Sequence, residues 1–202
     1  MIDEFVELGT ARLSITGGEP LVRKDFPQVV QHARNRGIFV SLATNGSLVA
    51  KRIDDLKDVN SVNMTLDGPE SIHDEQRGKG NFKDVLNAIE LLKHTGIPVY
   101  IVSVITRKNC MMIQEILELA KSLNIKALLQ PVFFSEQSHA NNLEGYANAR
   151  YDDKAMIETL DYLIKLKEEG DQSVMLSKRY YMNVKKSIAS GAKIRCRNAG
   201  SL

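Results

Sequence analysis

Short β-branched runs alternate with amphipathic helical periods along this chain, and that alternation limits the fold more than any other feature. Ile2 to Leu8 reads as the end of a helix and Arg12 to Thr16 as a strand. Asp25 can cap a helix through Arg36, with Phe26, Val29, Val30 and Ala33 on its apolar stripe and Gly37 as its stop. Ile38 to Ala43 reads as a strand, Ser47 to Leu56 as helical, and Ser61 to Leu66 as extended. Phe82 to His94 is strongly amphipathic, with Val85, Leu86, Ile89 and Leu92 in register and Gly96 closing it. Val99 to Ile105 is extended, Cys110 to Leu123 helical, Ile125 to Gln130 extended, and Asp152 to Glu169 a long charged helix. Strands alternating with helices imply right-handed βαβ crossovers and a parallel sheet, hence an α/β fold, either a barrel or a doubly wound sheet.

The two faces of each strand separate those alternatives, because side chains alternate across a sheet with period two. Leu13 and Ile15 oppose Arg12, Ser14 and Thr16; Val62, Met64 and Leu66 oppose Asn63, Thr65 and Asp67; Leu42 opposes Ser41 and Ala43. A doubly wound sheet is covered by helices on both sides and is apolar on both. A polar face therefore favours a curved, partly open barrel whose lumen meets a polar ligand.

Composition excludes several classes. Of 202 residues, 43% are apolar and 6% aromatic, which suits one domain with a real core. Lys and Arg number 27 against 25 Asp and Glu, so no charge excess calls for nucleic acid or a membrane surface. No apolar run approaches the roughly 20 residues of a membrane span, and no basic-then-apolar leader opens the chain; a cytoplasmic location is expected. The cysteines, Cys110 and Cys196, stand far apart, giving neither a disulfide framework nor a zinc spacing. The basic and aromatic stretch Lys178 to Lys186 reads as a surface helix snorkelling its lysines.

Ligands of parallel α/β folds sit at the carboxyl ends of the strands. Gly17-Gly18-Glu19-Pro20 ends the first strand, Thr44-Asn45-Gly46 the next, and Asp67-Gly68-Pro69 the third. Each is open to two readings, a simple turn or a binding turn in which glycines free backbone groups for a ligand. Three on one rim favour binding. Pro131 to Tyr151, leaving the last strand on the same rim, offers His139, Asn141, Asn142 and Tyr146 as substrate contacts or else a surface loop. His73 to Arg77 reads as a rim turn or a solvated helix start.

Thr16-Gly17-Gly18-Glu19-Pro20-Leu21, Ala43-Thr44-Asn45-Gly46, Thr65-Leu66-Asp67-Gly68 and the segment His73 to Phe82, in this order, resemble the radical S-adenosylmethionine (radical SAM) superfamily, closest to members with a carboxyl-terminal SPASM or twitch cluster domain. The resemblance covers most of Leu13 to Lys126. It implies a partial (β/α)6 radical SAM barrel, TIM-like in layout, that binds S-adenosylmethionine and a [4Fe-4S] cluster. That pair generates a 5′-deoxyadenosyl radical for hydrogen abstraction. It further implies that Gly17, Gly18, Glu19 and Pro20 hold the methionine amino group, with the Glu19 carboxylate suited to an ammonium. Thr65 would face the ribose, and Thr44 and Asn45 would line the same pocket. Asp67 would serve either the cofactor or its own turn. An electron donor such as flavodoxin or ferredoxin and a peptide substrate, hence peptide maturation, follow as family expectations. No residue is assigned a catalytic role.

One departure is large. The family carries a Cys-x3-Cys-x2-Cys loop after its first strand, and this chain has no cysteine before Cys110. The expectation is an incomplete radical SAM core over residues 1–190, lacking the first strand and cluster loop, with residues 191–202 opening a SPASM or twitch extension in which Cys196 ligates an auxiliary cluster. A non-catalytic relative that keeps the pocket for S-adenosylmethionine or another small molecule is the alternative. Three thiolates are needed to hold such a cluster, so anaerobic reconstitution of this chain with iron and sulfide is expected to give no stable [4Fe-4S] absorbance; a stoichiometric cluster by iron analysis would overturn this.

Overall fold

The computed structural model describes residues 1–132 and 153–190. In chain order the elements are α1 (Ile2–Glu7), β1 (Arg12–Ile15), α2 (Phe26–Asn35), β2 (Phe39–Thr44), β3 (Ser61–Thr65), α3 (Glu70–Arg77), α4 (Asn81–Lys93), β4 (Val99–Ile105), α5 (Ile113–Ser122), β5 (Lys126–Pro131), α6 (Asp153–Glu168) and α7 (Lys178–Ser190). The strands form one sheet in the order β1-β2-β3-β4-β5, every neighbour parallel. Sequential order with right-handed crossovers sends every helix to the same side, whereas a doubly wound sheet reverses its order partway. The architecture is a partial α/β barrel, as the alternating faces predict.

Register and burial agree on which face is which. Val40, Leu42, Val62, Met64, Ile101, Ile105, Ala127 and Leu129 point to the helices and are fully buried. They join one core with Phe26, Val30 and Ala33 of α2, Ile89 and Leu92 of α4, and Ile116 and Leu117 of α5. On the concave side Ser14, Ser41 and Ser61 lie in register across β1 to β3. The polar lumen holds there, but β4 and β5 bring Tyr100, Val102, Val104 and Leu128 to the same face, so it is polar on one half only.

Several predicted elements take a different form. Ser47 to Leu56 is not an α-helix but two short 3-10 turns, Val49–Lys51 and Ile53–Leu56. Asp25 does stand at the N-cap of α2, yet its carboxylate accepts from Arg23 rather than from the helix amides. Beyond β5, Val174 forms a parallel bridge to Ala127, a sixth strand position one residue long. Beside it Lys121 holds Asp171: burial pushes this carboxyl up, but the lysine and the Ser173 donors outweigh it and bring it to about 2. α7 is structural, with Tyr181 buried and its hydroxyl donating to the Leu129 carbonyl at 3.0 Å. Cys110 is buried in the core. Among the described residues no helix is long and apolar enough to cross a membrane.

Among the described residues strand β1 has a single neighbour, β2, so its other edge presents a row of unpaired backbone groups, a template for pairing. The chain is expected to self-associate through it, and Ser14→Lys, a charge on the exposed concave side, to shift light scattering toward monomer. A wild-type chain that is already monomeric at high concentration would count against this.

Candidate functional site

Glu19 organises the first wall. After β1 the backbone passes through Gly17 at φ +130, a conformation that side chains rarely adopt, and Glu19 then caps the 3-10 turn Pro20–Val22. Its carboxylate accepts from the Leu21 N–H at 3.1 Å, from the Thr44 hydroxyl at 2.9 Å to both oxygens, and from the Asn45 N–H at 2.9 Å. Arg52 holds the turn from below, donating to the carbonyls of Leu21 at 2.5 Å and Arg23 at 2.7 Å. The turn after β1 is thereby bonded to the end of β2.

The second wall is the Thr44-Asn45-Gly46 turn. The Thr44 oxygen also accepts the Gly46 N–H at 3.1 Å, and Asn45 Oδ1 accepts from the Ser47 N–H and hydroxyl. Gly46 is required twice over: its φ is +82, and a Cβ there would stand 2.8 Å from Met64 Cε and 3.1 Å from Val85 Cα. Close packing of α4 against β3 leaves no room for a side chain.

Asp67 anchors the third. Its N–H donates to His73 Nδ1 at 3.1 Å, and its carbonyl accepts from Asn109 Nδ2 at 2.9 Å. The Arg77 guanidinium sets two nitrogens, both at 2.7 Å, on one oxygen, Oδ2. The other, Oδ1, is buried with no partner among the described residues. Asn109 also donates to the Val104 carbonyl at 2.9 Å, reaching β4. Between α3 and α4, Asp74 accepts from the N–H groups of Phe82 at 2.8 Å and Gly80 at 2.6 Å, which lower its pKa below the ordinary carboxylate range.

The walls enclose a cavity of about 400 Å³ lined by Thr16, Gly17, Gly18, Ala43, Thr44, Asn45, Thr65, Gln76 and Arg77, within the size range of small-molecule sites. Of the predicted residues, Gly17, Gly18, Thr44, Asn45 and Thr65 line it. Glu19 stands behind it as a brace, its oxygens engaged by three donors of the protein; Pro20 is buried in the turn; Asp67 lies behind Arg77. Gln76 and Arg77 fall in the segment His73 to Arg77, which the sequence offers as a rim turn or a solvated helix start without singling out either residue for the site. The signal was available in the helical spacing: once His73 is turned inward, Gln76 and Arg77 at i+3 and i+4 share its side of the helix. His139, Asn141, Asn142, Tyr146 and Cys196 lie outside the described residues.

Chemically the cavity offers glycine backbone groups, the hydroxyls of Thr16 and Thr65, and one guanidinium. That set suits a polar ligand bearing a carboxylate and several donors. An iron–sulfur cluster is a different matter. Among the described residues no group of three His, Cys, Asp or Glu side chains could hold a metal, and Cys110 is buried in the helix-side core. The described residues do not fit a [4Fe-4S] cluster.

Comparison with known proteins shows the family. The family model described as "Radical SAM superfamily" matches residues 1–120, more than half of the chain. An AdoMet-dependent heme synthase from Methanosarcina barkeri is 34% identical over 138 residues, 66% of this chain and 39% of its own length. A probable GTP 3′,8-cyclase from Sulfolobus acidocaldarius is 32% identical over 148 residues, 69% of this chain and 47% of its own. The chain thus spans less than half the length of these curated relatives. The solved structure of anSMEcpe with bound AdoMet superposes with a TM-score of 0.67 at 22% identity, covering 97% of this chain and 57% of that one; the same protein has been solved with AdoMet and a peptide, Kp18Cys.

Replacing Glu19 by Ala leaves the Thr44 hydroxyl and two amides without their acceptor, and buried unsatisfied donors cost about 1–3 kcal/mol. Urea unfolding of Glu19→Ala is expected to show a loss of about that size, with Glu19→Gln losing less; an unchanged midpoint would contradict the bracing role.

Proposed function

Because the chain belongs to the radical SAM superfamily, we propose that its strand-end rim binds S-adenosylmethionine, as part of an enzyme that uses that cofactor for radical chemistry. The observation that carries the reading is the meeting, in one cavity, of the glycine turn, Thr65 and Arg77. Gly17, Gly18 and the turn braced by Glu19 and Pro20 receive the amino group through backbone carbonyls. Arg77 receives the carboxylate, as a charge-assisted hydrogen bond favours. Thr65 serves the ribose, Asp67 contributes by seating Arg77 from behind, and Thr44 and Asn45 form the wall between.

When bound together with a [4Fe-4S] cluster, S-adenosylmethionine supplies the superfamily with a radical for hydrogen abstraction. The described residues hold no ligand set for that cluster, so the role proposed for them stops at binding and orienting the cofactor and excluding water. A peptide substrate is suggested by the family resemblance and by the peptide bound in a structural neighbour; a SPASM or twitch extension at residues 191–202, with Cys196 as a ligand, rests on the resemblance alone.

Calorimetric titration of the chain with S-adenosylmethionine is expected to show saturable one-site binding, and absence of heat at ligand concentrations near about 1 mM would overturn the reading. Arg77→Lys, which keeps the charge but loses the fork, is expected to weaken S-adenosylmethionine about tenfold, the effect of one charged hydrogen bond. Methylthioadenosine, which lacks the carboxylate, should bind wild type and variant alike; equal losses for both ligands would remove Arg77 from the carboxylate.

A further inference from the structure

Two buried side chains that no part of the cofactor reading employs join the walls of the cavity. His73 is fully buried, and Asn81, the first residue of α4, nearly so. Their protonation states follow from one fixed donor. The Asp67 backbone N–H can only donate, so His73 Nδ1, at 3.1 Å, accepts and carries no proton. The ring proton therefore sits on Nε2 and donates to Asn81 Oδ1 at 2.9 Å. With its oxygen so used, Asn81 turns its amide nitrogen outward, and Nδ2 donates to the Asn45 carbonyl at 3.1 Å. Each link dictates the next, so the histidine tautomer and the asparagine orientation have one solution.

The bridge runs from Asp67, whose carboxylate seats Arg77, to Asn45, which lines the facing side of the cavity. Asn45 gives its N–H to Glu19 and its side-chain oxygen to Ser47. The contact with Asn81 is thus the one that fixes its carbonyl from the α4 side. We infer that Asn81, oriented by His73, is a positioning residue for the cofactor site: it sets the separation between the turn after β2 and the turn after β3. The inference rests on the S-adenosylmethionine reading of that cavity. A ligand that touches both walls gains only if they are held at its own span, since ordering them on binding costs affinity.

Asn81→Asp removes the donor to the Asn45 carbonyl and keeps the acceptor for His73. A carboxylate in the first turn of α4 is favoured by the helix dipole and still accepts from His73, but it cannot donate to the Asn45 carbonyl. The melting temperature is expected to fall, since the Asn45 carbonyl loses its donor, with the chain still folded at the assay temperature; hydrogen exchange of the amides at 44–47 is expected to accelerate and S-adenosylmethionine affinity by calorimetry to fall ~10-fold, as for one lost hydrogen bond. Unchanged exchange, or unchanged affinity despite faster exchange, overturns the inference. A second pair covers the case in which that variant folds poorly. His73→Gln puts an amide nitrogen near the Nε2 position and should keep affinity within about twofold, whereas His73→Asn reaches only the Nδ1 position and should lose about as much as Asn81→Asp. Equal losses in the two, tracking their melting temperatures, mean a merely structural role and overturn it as well. Failure of the wild-type chain to bind S-adenosylmethionine is seen before any variant is made and overturns the cofactor reading itself, and this role with it.

Discussion

The structure depends on how the carboxyl ends of its parallel strands are tied together. A parallel ladder holds strands side by side but stops where they stop, and the turns beyond carry backbone groups that burial would leave unpaired. Here buried polar side chains take over. Glu19 bonds the turn after β1 to Thr44 and Asn45 at the end of β2. Asn81 and His73 carry the connection to Asp67 at the end of β3, and Asn109 carries it to Val104 on β4. Every tie is local and short, yet together they cross four strands. Removing one strands its partners in a medium where an unmade hydrogen bond is expensive, so the rim behaves as a unit.

The helix side of the sheet was the most legible part of the chain. Val62, Met64 and Leu66 announce one face of β3 through period two alone, and the stripe Phe26, Val30, Ala33 announces α2. What failed did so for identifiable reasons. The apolar spacing from Ser47 to Leu56 suits a helix, but Arg52 is drawn off to the carbonyls of Leu21 and Arg23, a tertiary demand that breaks the run into two 3-10 turns. Asp25 looks like a cap from its position, yet Arg23, two residues away, is the stronger partner for its carboxylate. A polar lumen was read from β1 to β3 and does not extend to β4, where Val102 and Val104 face the same side.

The site was legible as a set of turns but not as a set of roles. Gly17, Gly18, Asn45 and Thr65 gather on one cavity as their places at strand ends require. Glu19 has an acid's chemistry, and the sequence suggests an ammonium for it; only the fold reveals that Thr44 and two amides already occupy its oxygens. His73 and Asn81 are eight residues apart and belong to different helices, so no periodicity links them. The segment His73 to Arg77 stays open to a rim turn or a solvated helix start because its helix is short and polar, and α3 buries only His73 on its inner side. Sequence periodicity reports apolar burial, and this part of the rim is built from polar burial.

That distinction bears on what a rim of this kind can do. A wall made of apolar contacts yields by small repacking, whereas one made of directional hydrogen bonds has few alternative arrangements. Asp67 shows the consequence. Arg77 places two of its nitrogens on Oδ2, while the N–H and carbonyl of Asp67 are held by His73 and Asn109. The residue that ties the end of β3 to its neighbours thereby also seats the one guanidinium that lines the cavity. Rigidity of the turn and the placing of that charge thus have one origin, and both favour a polar ligand over an apolar one of the same size.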